Sequence, residues 1–122
     1  MKIGVSAAGK NLNAIVDQRF GRCICFLIID SNAMDFKFIS NESNMSSGGA
    51  GIQAAQTIAK AGVEVVLTGN IGPNAFQTLS AAGIKVFIGA DGTIKEVIEK
   101  FKRGELEEIK TPNVNSHSGV RR

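Results

Sequence analysis

One short pattern occurs twice, 21 residues apart: Ala61-Gly62-Val63-Glu64-Val65 and Ala82-Gly83-Ile84-Lys85-Val86. Each copy follows an amphipathic stretch and runs into an apolar segment. The reading is therefore a helix stopped at a glycine and followed at once by a buried strand. Two such units in succession give parallel neighbouring strands joined by right-handed crossovers. This constrains half of the chain to a βαβ layout. With only two copies, it is not a solenoid.

The rest of the chain fits around that half. Lys2-Ile3-Gly4-Val5-Ser6 reads as a first strand, followed by a polar loop through Asn11, Asn13 and Asp17 to Arg19-Phe20-Gly21-Arg22. Cys23 to Ile29 is apolar throughout, as in a strand covered on both faces. The run from Asp35 to Ser40 places Phe36 and Phe38 on one face and Lys37 on the other, as in an edge strand. A helix is expected from Ala50 to Ala61 and a strand from Val63 to Leu67. A second helix opens at Pro73 and stops at Gly83, before a fifth strand from Ile84 to Ile88. Thr93-Ile94-Lys95-Glu96 is a capping box, and Gly104 ends the helix that it opens.

The order is β-β-β-α-β-α-β-α, with a meander at the start and the second strand antiparallel to the others. This topology gathers four segments at one edge of the sheet: Ser6-Ala7-Ala8, Arg19 to Cys23, Ser46 to Gly51 and Thr68 to Asn74. Open α/β sheets bind ligands beyond the carboxyl ends of their strands. Glycine-rich loops at helix starts leave backbone N–H groups free, where the macrodipole favours anions. Singly, Gly48, Gly49, Gly51, Gly69 and Gly72 are as well explained by turns and close packing. Their convergence is what suggests a cradle for something negatively charged.

Several functions are disfavoured. No Gly-Lys-Ser/Thr follows any of these loops, and no dinucleotide fingerprint surrounds Gly4. Acid–base or two-metal chemistry needs paired carboxylates, and only Asp17 lies at the proposed edge. The chain is therefore expected not to be an enzyme. Three of the 14 basic side chains, Lys110, Arg121 and Arg122, follow residue 109, and none of the 11 acidic ones does. The net charge of +3 thus belongs to the end of the chain, and no basic face with interleaved aromatics points to nucleic acid. No apolar run is long enough to span a bilayer, and no secretory signal opens the chain. A cytoplasmic location is expected.

Cys23 and Cys25 are too close to form an ordinary disulfide. Buried thiol packing is the simpler reading, above all for Cys25. Cys23 could instead offer a thiolate and His117 an imidazole, both suited to iron or an iron–sulfur cluster. Arg19 and Arg22 could neutralise an anionic ligand.

Four segments taken in order carry a resemblance: Phe20-Gly21-Arg22, Gly48-Gly49-Ala50-Gly51-Ile52-Gln53-Ala54-Ala55, Gly69-Asn70-Ile71-Gly72-Pro73-Asn74-Ala75-Phe76 and Ala82-Gly83-Ile84-Lys85-Val86. Over roughly residues 1–105 the chain resembles the dinitrogenase iron–molybdenum cofactor biosynthesis family, the NifX-like proteins and the carboxy-terminal domain of NifB-type proteins. The resemblance implies a three-layer α/β/α fold of the ribonuclease-H-like type, with a five-stranded mixed sheet in the order 3-2-1-4-5. It implies a non-catalytic carrier or store for an iron–sulfur or iron–molybdenum cofactor or its precursor, working with donor and acceptor proteins of cluster assembly. Many relatives have histidine just before the Phe-Gly pair, where this chain has Arg19.

The expected cluster-facing residues are Arg19, Phe20, Gly21, Arg22, Cys23, Gly48, Gly49, Gly51, Thr68, Gly69, Asn70 and Gly72, with Cys23 and His117 as metal ligands. The domain is expected to occupy residues 1–109, with 110–122 a polar, flexible tail. The oligomeric state is expected to be a monomer or a weak homodimer. The alternative is a regulatory module binding a phosphate-bearing metabolite at the same loops.

Overall fold

The computed structural model of the chain describes residues 1–41 and 49–113. The elements are β1 (Lys2–Ala7), a 3₁₀ turn (Phe20–Arg22), β2 (Cys25–Asp30), β3 (Phe36–Ser40), α1 (Ala50–Lys60), β4 (Val65–Leu67), α2 (Pro73–Ala81), β5 (Lys85–Ile88), α3 (Ile94–Lys102) and β6 (Glu107–Ile109). They form one mixed sheet in the order β3-β2-β1-β4-β5-β6. β1 pairs antiparallel with β2 and parallel with β4, and β4 pairs parallel with β5.

The sheet therefore has six strands, not five. The addition is β6, which pairs antiparallel with β5 and sets Ile109 opposite Val86. Its sequence, Glu107-Glu108-Ile109, has no apolar alternation. An edge strand three residues long needs only one inward side chain, and hydrophobic pattern does not reveal it. A second correction concerns β2. Cys23 lies outside the strand, because Phe20–Arg22 winds into a 3₁₀ turn and the ladder starts at Cys25.

The inner strands β1, β2 and β4 are buried on both faces, and each face has its own core. Phe26, Ile28, Val66 and Val86 pack with Ala54, Ala55 and Ile58 of α1 and Phe76 and Leu79 of α2. On the other face Ile3, Val5, Leu27, Ile29, Val65 and Leu67 pack with Ile94, Val97 and Ile98 of α3. A wholly buried side chain such as Ile58 contributes about 1.5–3 kcal/mol. Gly62 and Gly83 have φ of +77° and +78°, a left-handed geometry that glycine adopts without strain and that turns each helix into its strand.

The outer edge at β3 is open. Phe36 and Phe38 are 42% and 46% exposed, and the Lys10 ammonium sits 4.7 Å from the centre of the Phe38 ring. No helix among the described residues is long and apolar enough to cross a membrane.

Candidate functional site

The sheet's switch point lies between β1 and β4, since the chain builds outward to β3 on one side and to β6 on the other. Beyond the carboxyl ends of these two strands is a cavity of about 280 Å³. Three segments line it: Arg19 to Arg22, the first turn of α1 at Gly49, Gly51 and Ile52, and Asn70 to Ala75 leading into α2.

Short hydrogen bonds hold these segments together. Asn70 N–H donates to the Gln18 carbonyl at 2.7 Å, and Phe20 N–H to the Asn70 carbonyl at 3.2 Å. Phe20 anchors its turn in the core, with its ring centre 5.1 Å from that of Phe26. Asn41, itself buried, donates from its carboxamide to the carbonyls of Gly21 at 3.2 Å and Cys23 at 2.8 Å. Two glycines permit close approach. A Cβ on Gly21 would lie 3.1 Å from the Gly51 Cα, and one on Gly69 would strike the Gln18 carboxamide and lie 3.0 Å from the Gln18 Cα. Side chains there would push the three segments apart.

The helix starts give the cavity its electrostatic character. Gly49 precedes α1 and Gly72 precedes α2, and neither supplies a side-chain cap. The first helical bonds run from Gln53 N–H to Gly49 O and from Phe76 N–H to Gly72 O. The N–H groups of Ala50, Gly51 and Ile52, and of Asn74 and Ala75, therefore precede the helical ladder. α3 differs: Thr93 accepts from Glu96 N–H at 3.1 Å, and the Glu96 carboxylate accepts from Thr93 N–H at 2.9 Å. The capped helix lies on the far face, and the two helices that have no side-chain cap among the described residues open onto the cavity. Among the described residues the lining has two arginines and no acidic side chain. Arg19 is 68% exposed and pairs with Asp17, Nε to Oδ1 at 3.3 Å. Each helix end favours an anion by about 0.3–1 kcal/mol.

Of the expected residues, Arg19, Phe20, Gly21, Arg22, Gly49, Gly51, Asn70 and Gly72 come together at this cavity. Gly48 and His117 lie outside the described residues. Thr68 and Gly69 sit behind the lining. Thr68 is buried, its hydroxyl 2.8 Å from that of Ser6, which donates to the Asp17 carbonyl at 2.7 Å.

Cys23, also expected at the site, lies outside the lining. It is fully buried, its Sγ donates to the Phe20 carbonyl at 3.3 Å, and burial pushes its thiol from the ordinary 9.0 up to about 12. Burial favours the neutral thiol there, and Cys23 is not among the residues that line the cavity. Cys25 is likewise buried, its thiol raised first by burial. No cluster of three or more His, Cys, Asp or Glu side chains suited to a metal occurs among the described residues.

Sequence reasoning missed Asn113. Its carboxamide oxygen accepts from Ile71 N–H at 2.8 Å, and its nitrogen donates to the Gly69 carbonyl at 3.1 Å and to Asn70 Oδ1 at 3.2 Å. A lone asparagine beyond the last helix carries no pattern to reveal this. Residues 110–113 are thus not all tail, since Asn113 is fastened to the rim of the cavity.

In this mixed α/β domain two helix starts that begin at glycine and two arginines converge at the switch point of the sheet. The chain belongs to the dinitrogenase iron–molybdenum cofactor family, whose model matches residues 1–104. The orange protein of Desulfovibrio gigas, solved in its apo form, is 42% identical with a TM-score of 0.89, over 92% of this chain and 95% of that one. A Thermotoga protein described as a NifB candidate of the DUF35 family is 35% identical with a TM-score of 0.80, over 90% and 94%. An uncharacterised protein of Methanocaldococcus jannaschii is 32% identical over 80% of this chain and 85% of its own length.

Proposed function

We propose that this protein carries an anionic metal–sulfur species, an iron–sulfur or iron–molybdenum cofactor or its precursor, between donor and acceptor proteins of cluster assembly, without catalysis of its own. Family membership supports the cargo class. The observation that carries the reading is the pair of uncapped helix starts facing one cavity beside Arg19 and Arg22.

The chemistry of the lining shapes the proposal. Backbone N–H groups and guanidinium groups are hydrogen-bond donors that recognise the outer sulfide or oxo atoms of a cluster. Without a thiolate or imidazole in the described lining, the cargo is held by charge and hydrogen bonds to its own ligands. Such a hold suits a group that must be released intact. With no carboxylate or histidine in the described lining, no acid–base step is assigned to the protein.

The test is anaerobic incubation with iron, sulfide and molybdate, followed by gel filtration, metal analysis and visible absorption. Stoichiometric retention that survives Cys23→Ala and is weakened about tenfold by Arg22→Ala is the expected result. No retention by the parent protein contradicts the proposal.

The second reading, a module for a phosphate-bearing metabolite, draws on the same helix starts. It predicts thermal stabilisation by nucleotides or sugar phosphates with no requirement for iron, molybdenum or sulfide.

A further inference from the structure

We infer that Asn113 is a positioning residue of the binding site: it holds the Asn70 carboxamide with its oxygen turned away from the cargo and its N–H₂ end left for it. The inference rests on the anion-binding reading above and specifies how one side chain is oriented for it.

Three contacts carry the argument. Asn113 Oδ1 accepts from Ile71 N–H, and Asn113 Nδ2 donates to the Gly69 carbonyl and to Asn70 Oδ1. Asn113 therefore spans three consecutive residues of the turn between β4 and α2 from more than 40 positions away in sequence. A carboxamide has an acceptor end and a donor end, and a half-turn about its last bond exchanges them. Left to itself, Asn70 would present either end to the cavity that it lines. An acceptor end would repel an anion, and a donor end attracts one. Because Asn113 Nδ2 is a donor, it can engage only Asn70 Oδ1. The two N–H bonds of Asn70 Nδ2, which has no partner among the described residues, are thereby kept for a ligand.

The backbone of the same turn is held at once. Ile71 is 1% exposed, and its N–H is satisfied by Asn113 Oδ1 rather than by solvent. Asn70 N–H is already committed to Gln18. The side chain at Asn70 thus sits on a backbone pinned from both sides, so its amide orientation is set before any ligand arrives. Fixing a donor in advance reduces the ordering cost of binding.

The experiment is a double-mutant cycle on the full-length chain with tetrathiomolybdate as the probe, its Kd measured by anaerobic titration calorimetry. Asn113→Ala should weaken binding at least fivefold in the parent and less than twofold in an Asn70→Ala background, because the residue acts through Asn70. Amide exchange at Ile71 and the side-chain ¹⁵N resonances of Asn70, recorded without the anion, report the orientation directly. Both should lose protection or dispersion in Asn113→Ala.

Asn113→Asp is the second variant, keeping an acceptor for Ile71 N–H if Asn113→Ala fails to fold. It restores Ile71 protection but not anion affinity. The part of its loss due to added charge persists in the Asn70→Ala background, and the part due to positioning disappears there. A loss under twofold for Asn113→Ala, or losses at the two positions that simply multiply, overturns the inference. Absence of binding by the parent removes the anion reading and this inference with it. The Ile71 exchange rates then still tell whether Asn113 holds the turn.

Discussion

Cys23 and Arg19 sit four residues apart and fare oppositely on folding. Arg19 stays at the surface beside Asp17, and Cys23 is sealed under the Phe20 carbonyl with its thiol raised to about 12. A buried thiol whose pKa in the fold exceeds its unfolded value of 9.0 supports the folded state fully below pH 9. That support is withdrawn as the pH rises toward 12. Native protein should therefore react with a disulfide reagent at pH 8 only at its rate of opening, and denatured protein at once. Urea midpoints should fall less steeply between pH 9 and 12 in Cys23→Ala than in the parent, although the variant is less stable at neutral pH. An equal slope would mean that the thiol ionises outside the core. The sequence made the glycines and arginines of the cavity legible because four short segments share one edge of the topology. It misled at Cys23 because a continuous apolar run hides the 3₁₀ turn that precedes β2. It was silent at Asn113, where a long-range contact leaves no local trace.

At the scale of elements, helix starts decide the chemistry. α3 spends a threonine and a glutamate on its own N-terminus, so that end offers nothing to a ligand. Its capping box shows in the sequence as Thr-Ile-Lys-Glu and is present in the fold as read. Glu96 is held below its usual pKa first by its bond from Thr93 N–H, so its support is full above about pH 4.5 and is lost as the pH falls through its lowered value. α1 and α2 begin at glycine. Gly72 has φ of −86° and ψ of 175°, an N-cap geometry that an L-residue adopts without strain. Gly72→Asp should therefore cap α2 and stabilise the fold by about 0.5 kcal/mol, while placing a carboxylate in the cavity and abolishing anion binding. Raised thermal stability together with retained binding would show that the start of α2 is no part of the site. The repeated Ala-Gly-strand pattern disclosed the parallel half of the sheet, because a glycine stop followed by a buried strand has few other meanings. β6 escaped notice because a three-residue edge strand is recruited by the β5 edge, not by its own pattern.

The whole molecule places its cavity where the sheet changes direction, with each core confined to its own face. The β1–β4 ladder and the helices on either side support the three lining segments, and Asn113 fastens the end of the described chain to one of them. On the proposed reading an anion sits against the starts of α1 and α2. Its most direct test is an anaerobic ¹H–¹⁵N spectrum recorded as tetrathiomolybdate is added. The largest shifts should fall on the amides of Ala50, Gly51, Ile52, Asn74 and Ala75, with smaller ones at Arg19 to Arg22. Shifts confined to other parts of the surface, or none at saturating anion, would contradict it.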